Sequence, residues 1–175
     1  VSSIRLLSLD DVPDLVDLCR SNRDFLAPWE PDRDDDFFSI EGQLTNVHDA
    51  LRRHQQQSAY PHVILDDSDQ IIGRITIENV VRRAFQSCNV GYWVSEQANG
   101  NGVASAALQE ITKLAFNDLA LHRIEAGTLT HNIRSQRVLE KNGFVRFGLA
   151  PAYLRIAGIW QDHVLYQALN PLQPG

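Results

Sequence analysis

The chain has 175 residues, 43% apolar and 22% charged, which suits one globular unit with a substantial core over 1–175. Its net charge of −6 argues against broad binding to nucleic acid or an anionic membrane; no apolar run is long enough to span a bilayer, and no signal-peptide pattern opens the chain. The two cysteines, Cys19 and Cys88, lack metal-type spacing, so a disulfide scaffold and a zinc site are both disfavoured, and the expected compartment is a reducing cytoplasm.

The opening "SIRLLSLDDVPDLVDLCRSN" predicts a short strand and then a helix. Val12, Leu15, Val16 and Cys19 fall on one helical face, with Ser8 or Asp10 as the capping residue. "FLAPWEPDRDDDFF" is broken by Pro28 and Pro31 and cannot be regular throughout. A polar helix is expected over about Ser39 to Gln57. "AYPHVILDD" and "QIIGRITIENVV" are β-rich and predict an antiparallel pair. "CNVGYWVS" is a further strand, with a bulge expected at Gly91.

"SEQANGNGVASAAL" then leads into a helix whose apolar face holds Ala104, Ala107, Leu108, Ile111, Leu114 and Ala115. "HRIEAGTL" is a strand. "NIRSQRVLEKNGF" is a short helix with Asn132 at the N-cap position and Gly143 past its end. Three closing strands are expected from "FVRFGL", "AYLRIAG" and "IWQDHVLYQAL". The order predicts a mixed α/β fold, mostly antiparallel, with one parallel β-α-β step.

Three readings of the glycine segment compete. A dinucleotide fold wants a tight turn and a third small residue where Ser105 stands, and a ribose carboxylate where only Glu125 lies, inside a strand. A purely structural turn needs the glycines only for positive φ. In the third, Gln97-x-x-Gly100-x-Gly102 followed by Ala104 aims backbone N–H groups into one concavity at a helix start, where a pyrophosphate binds without a cationic side chain.

That third pattern resembles the phosphate loop of the GCN5-related N-acetyltransferase (GNAT) superfamily. "NVVRRAFQSCNVGYWVSEQANGNG", "HNIRSQRVLEKNGFVRFG", "AYLRIAGIWQDHVLYQAL" and "NRDFLAPWEP" resemble its RimJ/RimL branch of ribosomal-protein N-terminal acetyltransferases. The resemblance implies a GNAT fold: a central sheet splayed between strands 4 and 5 and flanked by helices. It implies acetyl-CoA as acetyl donor, and a primary amine as acceptor, a protein or peptide N-terminal α-amine first among them. A ribosomal-protein N terminus is one such partner, and a homodimer is compatible with the branch. Trp93 and Val94 are implied to meet the cofactor arm on a bulged strand. Gly100, Asn101, Gly102, Val103 and Ala104 are implied to hold pyrophosphate through main-chain N–H groups, and Asn132 to hydrogen-bond the arm. Ser135 is implied to protonate the leaving CoA thiolate, and Trp29 to line the acceptor side.

Each of these has a plainer alternative. Asn132 is also a good N-cap, Ser135 an ordinary first-turn residue and Trp29 a core aromatic. Asp34-Asp35-Asp36 is ordinarily a solvated surface, and the six histidines show no metal-type pair, so no metal is expected. An α-amine with a pKa near ~7.8 is neutral on the order of 10% at pH 7, whereas a lysine near ~10.4 is neutral about 0.04% of the time. That difference is about 3.5 kcal/mol, so an α-amine needs only a modest base. The carboxylates available for it are Glu78 and Glu30. A small-molecule amine acceptor, or a CoA-binding sensor without turnover, would use the same loop and helix.

Overall fold

The computed structural model describes residues 3–173. Seven strands form one sheet in the order β1-β2-β3-β4-β5-β7-β6. They are β1 (Ser3–Leu6), β2 (Tyr60–Leu65), β3 (Ile71–Val81), β4 (Ser87–Val94), β5 (Arg123–Leu129), β6 (Val145–Ile156) and β7 (Ile159–Leu169). All neighbours pair antiparallel except β4 and β5, which are parallel as the β-α-β step requires. The helices are α1 (Val12–Ser21), α2 (Arg23–Leu26), α3 (Ile40–Gln55), α4 (Val103–Lys113) and α5 (Ile133–Lys141).

The helices cover both faces of the sheet. On one, α1 lays Leu15 and Val16 and α3 lays Val47 and Ala50 against Val63 and Leu65 of β2. On the other, α4 packs Ala107, Leu108 and Ile111 against Ile75, Ile77, Val90 and Val94. The predicted apolar face of α1 is the buried one: Val12, Leu15, Val16 and Cys19. Of the two residues proposed as its cap, Ser8 acts, one turn early. Its hydroxyl accepts from the Asp10 N–H, and its own N–H donates to Asp11 Oδ2 at 2.8 Å. Asp11 is clamped in turn by both guanidinium nitrogens of Arg5, at 2.7 and 2.9 Å.

Two local expectations are corrected. "FVRFGL" and "AYLRIAG" are one long strand, β6, whose register against β7 jumps between Ala150 and Leu154. No bulge falls at Gly91, because β3 and β4 keep register from Gly73↔Val94 through Glu78↔Asn89. The extra residue sits in β3 between Glu78 and Val81, where Asn79 takes φ 52° and donates its amide to Asn89 Oδ1. Asparagine tolerates the left-handed conformation that such a kink demands. At the β6–β7 tip, Ala157 and Gly158 both have positive φ, 48° and 76°, so the turn has the primed geometry that hairpin twist favours. Ala157 holds it despite its Cβ because its N–H donates to the Glu30 carbonyl at 2.9 Å.

Candidate active site

β4 and β5 are bonded only from Ser87 to Asn89 and from Arg123 to Glu125. Beyond that point β5 follows β7, β4 stays with β3, and the two strands part. The gap opens into a cleft of about 810 Å³. It reaches both faces of the sheet. Arg74, Thr76 and Glu78 line it from the α1/α3 side, alternating with Ile75 and Ile77, which are buried on the α4 side. Tyr92, Asn132, Ser135 and Leu139 line it from the α5 side.

Six residues singled out from sequence meet there: Trp29, Glu30, Glu78, Trp93, Asn132 and Ser135. Val94 is buried in the core, but its main chain is well placed. The Ser95 N–H bonds to the Ile72 carbonyl of β3 at 2.8 Å. Alternation along an antiparallel ladder then turns the Trp93 main chain toward β3 and the Val94 and Tyr92 main chains toward the gap. So Val94 presents backbone to the gap, and Trp93 presents its side chain.

Gly100, Asn101, Gly102, Val103 and Ala104 lie apart, where β4 runs out toward α4. Gly100 and Gly102 take φ 84° and 79°, a conformation that branched residues almost never adopt. Gly102 is the N-cap of α4, with no side chain covering the helix end. The N–H groups of these five residues donate to no acceptor among the described residues. A left-handed turn feeding an uncapped helix start can cradle an anion with backbone alone. Asn142, just past α5, donates to Ser105 Oγ at 2.9 Å and ties the cradle to that helix. Arg134, Arg137 and Lys141 stand exposed on α5.

Asn132 serves as N-cap: its Oδ1 accepts the Ser135 N–H at 3.1 Å. Its amide NH₂ donates to nothing among the described residues, so the capping role and a ligand-binding role are open to it together. Ser135 Oγ lies 3.0 Å from the Tyr92 hydroxyl, either of which can donate. Tyr92 is missing from the sequence-derived site. The signal was available, since β4 alternation puts it on the core face with Val90 and Val94, where a phenol needs a partner. Burial pushes its pKa up to about 12, only partly opposed by the Ser135 bond, so it keeps its proton at neutral pH.

At the other end of the cleft lining, Trp29 lies 5.7 Å from the His131 ring, closing the loop over the β5–α5 turn. The Glu30 side chain is 20% exposed and 3.8 Å from Arg33, whereas the Glu78 side chain is 44% exposed and 3.9 Å from Arg53. Burial raises the Glu30 pKa, with Arg33 and Arg74 pulling the other way. Cys19 also lines the cleft, but burial lifts its thiol to about 11, so it holds no thiolate at neutral pH. No cluster of metal-ligating side chains occurs among the described residues.

A family model described as an acetyltransferase (GNAT) domain matches residues 3–145. The [ribosomal protein uS5]-alanine N-acetyltransferase of Escherichia coli (strain K12) is 36% identical over 169 residues, 96% of this chain and 87% of that protein. The crystal structure of ribosomal-protein-S5-alanine acetyltransferase from Vibrio fischeri superposes with a TM-score of 0.92 and 32% identity, covering 99% of this chain and 96% of that one. Mycobacterium smegmatis RimJ in complex with CoA-disulfide superposes at 0.94 with 29% identity, over 100% of this chain and 85% of that one.

Proposed function

The chain belongs to the GNAT acetyltransferase family, and from that premise we propose that it transfers acetyl from acetyl-CoA to the N-terminal α-amine of a protein or peptide, with both substrates bound together. The observation that carries this reading is the cleft through the parted sheet. It has an acceptor floor that carries Glu30 and Glu78 on one face and a hydroxyl pair on the other. Direct transfer is supported over a cysteine-linked acyl intermediate because Cys19, the cysteine lining the cleft, stays protonated.

The cofactor's pyrophosphate is assigned to the N–H groups of Gly100 to Ala104, and its arm to the parted edge of β4, where Val94 offers main-chain groups and Asn132 its free amide. The amine enters beside Trp29. Glu30 takes its proton, directly or through water. Its partial enclosure moves its pKa toward that of an α-amine, as efficient general-base catalysis requires. Glu78, more exposed and facing Arg53, is the alternative base and also lines the cleft. The Val94 N–H, facing the gap, stabilises the oxyanion as the amine adds to the thioester carbonyl. Ser135 then donates to the departing thiolate, held in place by Tyr92.

The test is an acetyl-CoA assay over peptides and small amines, with mass-spectrometric mapping of the product. Acetyl on peptide α-amines is expected. Acetyl confined to lysine side chains, or to small amines with peptides untouched, would refute the acceptor assignment.

A further inference from the structure

Four arginines reach the acceptor side of the cleft: Arg23, Arg33, Arg53 and Arg74. Three are engaged. Arg23 pairs with Asp35 at 2.8 Å and lies over the Phe38 ring. Arg33 faces Glu30 and lies over Phe37. Arg53 reaches Asp49 at 3.3 Å and Glu78 at 3.9 Å.

Arg74 is different. It stands in mid-strand on β3, in register with Trp93, and lines the cleft. Its Nε, like that of Arg53, is buried without a hydrogen-bond partner, but unlike Arg53 it has no carboxylate within ion-pair distance among the described residues. The charges of Glu78 and Glu30 are felt there without bonding. Burial depresses its pKa, yet a guanidinium remains charged at neutral pH. A largely buried cation with one unmade hydrogen bond and no ion-pair partner is costly unless something completes it. The site itself defines what that is: an oxygen acceptor, close to wherever Glu30 meets the amine.

We propose that Arg74 binds the carbonyl oxygen of the acceptor's first residue, an assignment that rests on the α-amine reading above. In an N-terminal residue this oxygen sits on the carbon next to the amine-bearing carbon. Glu30 and Arg74 thus form a two-point fit of opposite charge for an aminoacyl head: carboxylate to amine, guanidinium to carbonyl. A lysine side chain or a simple alkylamine carries no such oxygen and leaves Arg74 unpaired. A polyamine brings a second positive charge toward it. Arg74 therefore selects α-amines both by a bond made and by a bond left unmade, the route by which polar sites reject analogues most strongly.

The experiment compares alanine N-methylamide with 2-aminobutane, which lacks the carbonyl, as acceptors for the wild type, Arg74→Gln and Arg74→Lys. Values of kcat/KM are expressed per neutral amine, and thermal melting and CoA binding check the fold of each variant. The wild type is expected to prefer the amide. Arg74→Gln should cut the amide-to-alkylamine ratio roughly 10- to 100-fold, through KM, as removal of a charged hydrogen-bond donor does. Arg74→Lys keeps the charge but not the planar fork and should fall between the two, which preserves the test where the glutamine variant does not fold. A ratio unchanged in both variants, with the wild type active on the amide, overturns the role of Arg74 alone. A wild type active on 2-aminobutane but not on the amide overturns the α-amine reading, and this inference with it.

Discussion

Removing the Ser135 hydroxyl is the sharpest perturbation of the proposed chemistry. We assign Ser135 the part of a hydrogen-bond donor to the thiolate rather than a full proton donor, an assignment that rests on its neighbour. Tyr92 sits 3.0 Å away with a pKa of about 12, whereas a thiol such as that of CoA ionises near ~8.5. Moving a proton from the phenol to the thiolate is therefore uphill by about 5 kcal/mol. The thiolate leaves as an anion, and the hydroxyl pair is assigned to stabilise it. A hydrogen bond to a charged group contributes about 1.5–3 kcal/mol, so Ser135→Ala should lower kcat by roughly 10- to 150-fold while acetyl-CoA binding is little changed. Tyr92 acts through Ser135 with one neutral bond of about 1 kcal/mol, so Tyr92→Phe should cost roughly fivefold. The double variant should be no slower than Ser135→Ala, and Tyr92→Phe should leave the shape of the pH profile intact. Single-turnover kinetics with a peptide acceptor and calorimetric binding of acetyl-CoA measure all three. Unchanged turnover in Ser135→Ala removes Ser135 from the chemistry. A larger loss in Tyr92→Phe than in Ser135→Ala makes Tyr92 the donor instead.

Three further outcomes follow from other parts of the molecule. Gly102→Val forces a branched residue to φ 79° and should weaken acetyl-CoA binding in a calorimetric titration, whereas a normal Kd contradicts the cradle. Because burial raises the Glu30 pKa, the active carboxylate is lost, as pH falls, sooner than an ordinary carboxylate would be. Arg33 opposes that shift, so Arg33→Gln should move the acid limb of the pH–rate profile to higher pH and Glu30→Gln should abolish it; a limb unmoved in both variants excludes Glu30 as the base. Burial alone would raise the Asp11 pKa, but the Arg5 bonds and the Ser8 N–H outweigh it and leave it depressed. Its stabilisation is thus present above the unfolded value of ~3.9 and fades as pH falls through the depressed folded value. Asp11→Asn should cost about 2 kcal/mol at pH 7 and nothing in strong acid, as read from denaturant melts; a constant cost at every pH refutes the assignment.

Much of this architecture is legible in the sequence because helix and strand periods are local. The buried face of α1 and the alternation of β3 both follow from residue spacing. What was illegible depends on partners distant in sequence. The bulge belongs to Asn79 rather than Gly91 because β3, not β4, carries the extra residue against its neighbour, which no single strand reveals. The Ala157-Gly158 turn is held by Glu30, more than a hundred residues earlier in the chain. The site divides the same way. Asn132 and the Gly100–Gly102 loop announce themselves by helix-end chemistry. Alternation along β4 marks Tyr92 as a core-facing phenol that needs a partner, but that the partner is Ser135, and that Arg74 faces a cleft, become visible only when β4 and β5 part and α5 closes the far side.

The central assignment is an α-amine acceptor attacked directly in a complex with both substrates. It is met most directly by one measurement: incubation with acetyl-CoA and a peptide carrying both a free N terminus and an internal lysine, followed by fragment mass spectrometry. The expected product carries one acetyl group on the N-terminal residue, and an N-terminally blocked form of the same peptide gives none. Acetylation of the lysine in the blocked peptide, at a rate equal to that of the free one, contradicts the assignment.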